Sequence, residues 1–159
     1  MDKILPLRKS LPLIALALVT LACRSASVLT PAAPQLEATQ VSGYIFDLPA
    51  SQGWSQTGIR LRQGQTFQIA YLSGQVRDGK TALADAAGSG YVCGHAGCCE
   101  PLPKVPRDAL IGRVDQDIFY IGNGGTFTAS DSGILELRLN DCDAGLYDNA
   151  GTLRLILIP

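Results

Sequence analysis

The chain has 159 residues, of which 47% are hydrophobic and 17% charged, and its formal net charge at pH 7 is −1. With 13 basic against 14 acidic residues and no basic stripe carrying interleaved aromatics, nucleic acid is excluded as the expected partner. Once an export leader is set aside, the length allows one domain with a single core of ordinary size.

Lys3, Arg8 and Lys9 precede an apolar run from Leu11 to Ala22, the charged and hydrophobic regions of a secretory signal. The run is too short to span a bilayer. It stops at Leu21-Ala22-Cys23, a pattern similar to the lipobox of bacterial lipoproteins, with Thr20 where that motif favours Leu. Residues 1–22 are therefore expected to be a lipoprotein signal peptide and Cys23 the lipidated N-terminus. The expected location is the bacterial cell envelope or surface, with membrane contact through the lipid anchor only. Ordinary cleavage after Ser25-Ala26-Ser27 is the alternative. Loss of 1–22 removes Lys3, Arg8, Lys9 and Asp2, leaving 10 basic and 13 acidic residues, a mildly acidic protein.

Residues 23–40 are rich in Ser, Ala, Thr, Pro and Gln without apolar periodicity, the composition of a disordered tether. The folded domain is expected over 41–159. Short segments with strand character follow one another, punctuated by Gly and Pro: Val41 to Asp47, Gly58 to Arg62, Thr66 to Leu72, Ala109 to Val114, Ile118 to Ile121 and Thr126 to Ala129. Ile134 to Asn140 alternates, with Leu135, Leu137 and Leu139 facing inward and Glu136, Arg138 and Asn140 expected on a wet face. Thr152 to Ile158 is more apolar, as expected of a strand buried on both sides or at a sandwich core. Such spacing predicts an all-β fold, a β-sandwich of jelly-roll type.

Cys93, Cys98, Cys99 and Cys142 form an even set in an exported protein, which predicts two disulfides. A bridge between the adjacent Cys98 and Cys99 would be strained, so Cys93 should take one of them and Cys142 the other. The second bridge would pin the segment around His95 against the loop that holds Asp141. A zinc site at Cys93-x-His95-x-x-Cys98-Cys99 is disfavoured by oxidising export and by the lack of a matching second pair.

Between the last two strands stand Asn140-Asp141 and Asp148-Asn149-Ala150-Gly151. Asp141, Asp148 and Asn149 are hard oxygen ligands, and Gly145 and Gly151 allow sharp turns, so the loop is expected to bind calcium at the end of a rigid hairpin. It is no EF-hand, since Leu146 and Thr152 stand where that motif needs Gly and Glu. The plain alternative is a polar turn. Trp54 is expected to pack on a sheet rather than stack on a ligand, and Asp115 and Asp117 to sit in a hairpin turn. His95 has no Ser or acid beside it in a recognisable motif, so no catalysis is expected.

The ordered set Trp54-Ser55-Gln56-Thr57-Gly58-Ile59, Gly64-Gln65, Leu72-Ser73-Gly74, Ala109-Leu110-Ile111-Gly112-Arg113-Val114, Ile121-Gly122, Ser132-Gly133-Ile134-Leu135 and the closing acidic segments resembles the PA-I (LecA) galactophilic lectin-like family. The likeness runs from about Tyr44 to Ile158. It implies a calcium-dependent galactose-binding β-sandwich whose Ca²⁺ is coordinated directly by sugar hydroxyls. It further implies that Asp141, Asp148 and Asn149 supply side-chain oxygens, and Gly145 and Asp78 backbone carbonyls. Asp141, Asp148 and Asn149 would also hydrogen-bond the sugar, and His95 would meet its primary hydroxyl. Cys98 replaces the family's glutamine, a departure that bears on sugar preference. Oligomers occur in such families. A structural or adhesion module, in which calcium only rigidifies a loop, is the competing expectation.

Overall fold

The computed structural model describes residues 42–159, so the expected signal peptide, Cys23 and the tether lie outside the described residues. Eight strands follow in order: β1 (Tyr44–Pro49), β2 (Ser55–Leu61), β3 (Thr66–Arg77), β4 (Leu110–Val114), β5 (Asp117–Tyr120), β6 (Gly124–Thr128), β7 (Gly133–Leu139) and β8 (Ala150–Ile158). One 3-10 turn, Leu146–Asp148, precedes β8. Each strand falls where the sequence alternation placed one. β3 runs five residues past the expected Leu72, through a register shift between Tyr71 and Ser73.

The strands form two four-stranded antiparallel sheets, ordered β1-β8-β3-β6 and β2-β7-β4-β5. Leu48, Leu61, Ile69, Leu135, Leu153 and Leu157 point between them and are almost fully buried. Phe67, Phe119 and Phe127 close part of this core with ring centroids 5.4–6.0 Å apart. The fold is an all-β sandwich, as the turn-punctuated alternation predicts.

β7 and β8 belong to different sheets, so the segment between them is a crossover and not the tip of a hairpin. Both strands are apolar on their inner faces, and that pattern fits two layers facing each other as well as two strands side by side. The expected wet face of β7 is also covered: Glu136 is half-buried, Arg138 is 2% exposed and Asn140 is 0% exposed. Trp54 does much of the covering, with the guanidinium of Arg113 4.4 Å and that of Arg138 5.5 Å from its ring centroid. On β8 the outer side stays partly open, with Arg154 exposed and Ile156 half-buried.

Of the two cysteine pairings left open by the sequence, the structure has Cys93–Cys98 and Cys99–Cys142. Two disulfides are the chemistry of an exported protein. Among the described residues no helix is long and apolar enough to cross a membrane.

Candidate functional site

The long segment from Asp78 to Ala109, between β3 and β4, is drawn onto the end of β7 by three devices. Asn140 is the first. Its Oδ1 accepts from the Leu102 N–H at 3.0 Å, and its Nδ2 donates to the carbonyls of Leu102, Val105 and Pro106 at 3.0–3.3 Å. Backbone bonds are the second, with Asp108 N–H donating to Asn140 O and Asn140 N–H to Ala109 O. The Cys99–Cys142 bridge is the third. Together they carry Arg107 and Asp108 to the side of Asp141.

Arg138 shapes the other wall. Its guanidinium donates to the carbonyls of Leu139 and Asp141 at 3.0 and 2.7 Å and to Asp143 Oδ1 at 2.7 Å, turning the chain as it leaves β7. Asp141 is 2% exposed; its Oδ1 accepts from Cys142 N–H at 2.7 Å and its Oδ2 from Asn149 Nδ2 at 3.0 Å. Gly145 has an ordinary right-handed backbone, φ −94°. Glycine leaves room there, since a Cβ would stand 3.0 Å from Asp141 Oδ2 and crowd it. Gly151 does have a positive φ, +104°.

What results is a cluster of carboxylates. One oxygen each of Asp78, Asp108 and Asp141 lies within 4.8 Å of the others, and Asn149 is bonded to the last. Asp78 enters with its side chain. Its carbonyl, the expected metal ligand, accepts from the Thr81 N–H at 2.9 Å in a turn, which leaves one lone pair. Asp148 is exposed and stands over Gly79, whose N–H donates to the Asp148 carbonyl at 3.2 Å. Gly145 O accepts from Asp148 N–H at 3.3 Å. His95 is exposed, and its hydrogen bonds stay within its own loop: Nδ1 accepts from the Gly97 N–H and the carbonyl from the Cys98 N–H. Cys93 and Cys98 beside it are spent in their disulfide, which removes the thiolates a zinc site would use.

Asp108 is the member that sequence reasoning missed. It sits between Arg107 and the apolar Ala109-Leu110-Ile111, where an acid reads as a turn residue; the usable signal was a carboxylate directly before a buried apolar run. Three side-chain atoms of the cluster are buried with no hydrogen-bond partner: both carboxylate oxygens of Asp108 and Oδ1 of Asn149. The neighbouring cation, Arg107, donates to Glu100 at 2.9 and 3.2 Å and to Asp78 at 3.2 Å, and lies 3.7 Å from Asp141. Burial of Glu100 works to raise its pKa, but backbone N–H groups and Arg107 outweigh that and hold it below the usual carboxylate range. At Asp108 burial is foremost, and the carboxylates of Asp141 and Asp78 add to it; the Ser89 hydroxyl and Arg107 oppose them more weakly, and the net effect raises the pKa from 3.8 to about 6.

A carboxyl raised in this way costs stability where it is ionised, above about pH 6, and the cost fades as pH falls through that value. In the presence of chelator, the protein is expected to gain about 1 kcal/mol between pH 7.5 and pH 5 from this group. Glu100 and Asp47, whose values are lowered, begin to lose their contribution only below their ordinary values of 4.5 and 3.8. Urea midpoints across that window check it; a steady loss of stability on acidification would contradict an unpartnered Asp108.

Beside the cluster, and sharing Asp78 and Arg107 with it, lies an open cleft of about 400 Å³ whose walls include Leu83, Ser89 and Tyr91. Leu83 is 58% and Tyr91 50% exposed, and the guanidinium of Arg107 lies 5.1 Å from the Tyr91 ring centroid.

Comparison with protein-family models and with curated proteins finds no significant match. Among solved structures the chain is similar to one described as "EclA N-terminal domain; PllA-like lectin". The two are 22% identical, the match covers 72% of this chain and 94% of that one, and the TM-score is 0.57. At that identity the likeness establishes a shared sandwich fold.

Proposed function

We propose that the protein is a non-catalytic lectin that binds terminal galactose-like sugars through Ca²⁺. The observation that carries this reading is the set of buried oxygens lacking any donor, on Asp108 and Asn149, beside the carboxylates of Asp78 and Asp141. Hard oxygen donors gathered without protons to satisfy them suit calcium. The likeness to a domain described as a lectin supports the same reading.

Asp141, Asn149 and Asp78 would hold the ion, joined by Asp148 and the Gly145 carbonyl from the same crossover. Bound Ca²⁺ takes six to eight oxygens and would leave positions for two vicinal sugar hydroxyls. Asp141, Asp148 and Asn149 would accept hydrogen bonds from those hydroxyls, and His95 would meet the primary hydroxyl from its disulfide-closed loop. Cys98 cannot replace the glutamine expected beside it, because its sulfur is bonded to Cys93. The adjoining cleft offers the mixed wall a sugar ring requires, apolar at Leu83 and Tyr91 and polar at Ser89. In this reading the domain is exported on the 1–22 leader, lipid-anchored at Cys23 and held off the membrane by the 23–40 tether, with oligomers as one route to avidity.

The test is glycan-array binding by the purified protein in excess Ca²⁺ and again after chelation. Galactoside binding that disappears with EDTA is expected. If folded protein binds no glycan in either condition while Ca²⁺ still raises its melting temperature, calcium only rigidifies the loop and the module is structural or adhesive.

A further inference from the structure

We propose that Asp108 is itself a metal-binding residue, making this a three-carboxylate site, Asp78, Asp108 and Asp141 with Asn149 Oδ1, for a hard divalent cation. The inference deepens the calcium reading and rests on it. The ligand set implied by the family resemblance is Asp141, Asp148, Asn149 and the carbonyls of Gly145 and Asp78; Asp108 is absent from it.

Four observations converge on Asp108. Its side chain is 0% exposed, and neither oxygen has a donor. A buried carboxylate in that state is among the costliest arrangements a fold can hold, unless a counter-ion relieves it. The adjacent cation and the nearby Ser89 hydroxyl relieve it only in part: Arg107 directs its hydrogen bonds to Glu100 and Asp78, and Ser89 directs its own to the Arg107 carbonyl. The backbone of Asp108 is left-handed, φ +63°, a second cost that glycine would avoid and that Asp and Asn tolerate better than other residues. Asn149 Oδ1 presents another buried acceptor without a donor in the same cluster.

The donors are all oxygen, and the nearby sulfurs are locked in disulfides, so the chemistry selects Ca²⁺ over Zn²⁺. Asp148, exposed and outside the close triad, would then matter less for the ion than Asp108 does.

Calorimetric titration of Ca²⁺ alone into the full chain tests this, using wild type, Asp108→Asn, Asp148→Asn and Asp143→Asn. Asparagine keeps the shape and tolerates the left-handed backbone, so Asp108→Asn should fold, with a metal-free melting temperature equal to or above wild type. Its Ca²⁺ affinity is expected to fall at least about tenfold, further than that of Asp148→Asn. Asp143→Asn, at an 86% exposed side chain paired with Arg138, should match wild type. An Asp108→Asn affinity within about twofold of wild type would overturn the assignment and leave the calcium reading standing. No binding by wild type at about 10 mM Ca²⁺, beyond the range of weak extracellular calcium modules, would overturn both.

Discussion

Asp141→Asn is expected to abolish Ca²⁺-dependent galactoside binding, with a loss of at least about 100-fold, or about 2.7 kcal/mol. The side chain sits where every part of the cluster meets. It lies within 4.8 Å of the carboxylates of Asp78 and Asp108, accepts from the Cys142 N–H and from Asn149, and stands 3.7 Å from Arg107. Asparagine removes the charge and turns one acceptor into a donor, so it cannot accept from Asn149 Nδ2 and ligate an ion with the same atoms. Asp141→Ala would do as much and also strand two buried donors, costing roughly 2–3 kcal/mol of stability. The amide variant is therefore the cleaner probe. Surface plasmon resonance on immobilised galactosides, with circular dichroism to establish folding, decides the matter. Retained binding in a folded Asp141→Asn protein would move the sugar site away from this cluster.

Replacing Cys99 and Cys142 together by serine is expected to destabilise the protein by about 4 kcal/mol, from the chain entropy of closing a 43-residue loop. The same change at Cys93 and Cys98, which are five residues apart, should cost about 2 kcal/mol. The larger bridge anchors the segment that delivers Arg107 and Asp108, so Ca²⁺ affinity should fall with stability in the first variant and hold in the second. Denaturant midpoints with and without Ca²⁺ separate the two effects. A loss below about 1 kcal/mol for the Cys99 and Cys142 pair would mean that the four side-chain hydrogen bonds of Asn140 and the backbone bonds beside them hold the segment in place.

Every strand was legible, because short runs of apolar and β-branched residues are a local signal and turns here carry Gly, Pro or Asp. Partnership between strands was not. β7 and β8 both read as strands flanking a short polar loop, and nothing in their periodicity says that they lie in opposite sheets. Solvation of the β7 outer face was misread for a similar reason: the groups that cover Arg138 and Asn140 are the Trp54 ring and the backbone of 102–106, distant in sequence. In the site, Asp141 and Asn149 stood out because acids and amides cluster there with glycine. Asp78 was marked for its carbonyl alone, whereas its carboxylate also faces the cluster. Asp108 carried no motif. Its role depends on burial, a property created by the packing of the β3–β4 segment onto Asn140, far along the chain.

The crossover of the last two strands has a mechanical consequence. Asp78 follows β3 and Asn149 precedes β8, in one sheet, while Asp108 precedes β4 and Asp141 follows β7, in the other. An occupant gripped by all four would act as a rivet through both layers. Neither sheet could splay at that end without expelling it, so amide hydrogen exchange near the ends of β3 and β8 should slow in step with that near β4 and β7 when the site fills. A pulling force that shears one layer across the other would meet its resistance at this point, and the strength of the sandwich would rise and fall with the concentration of whatever fills it.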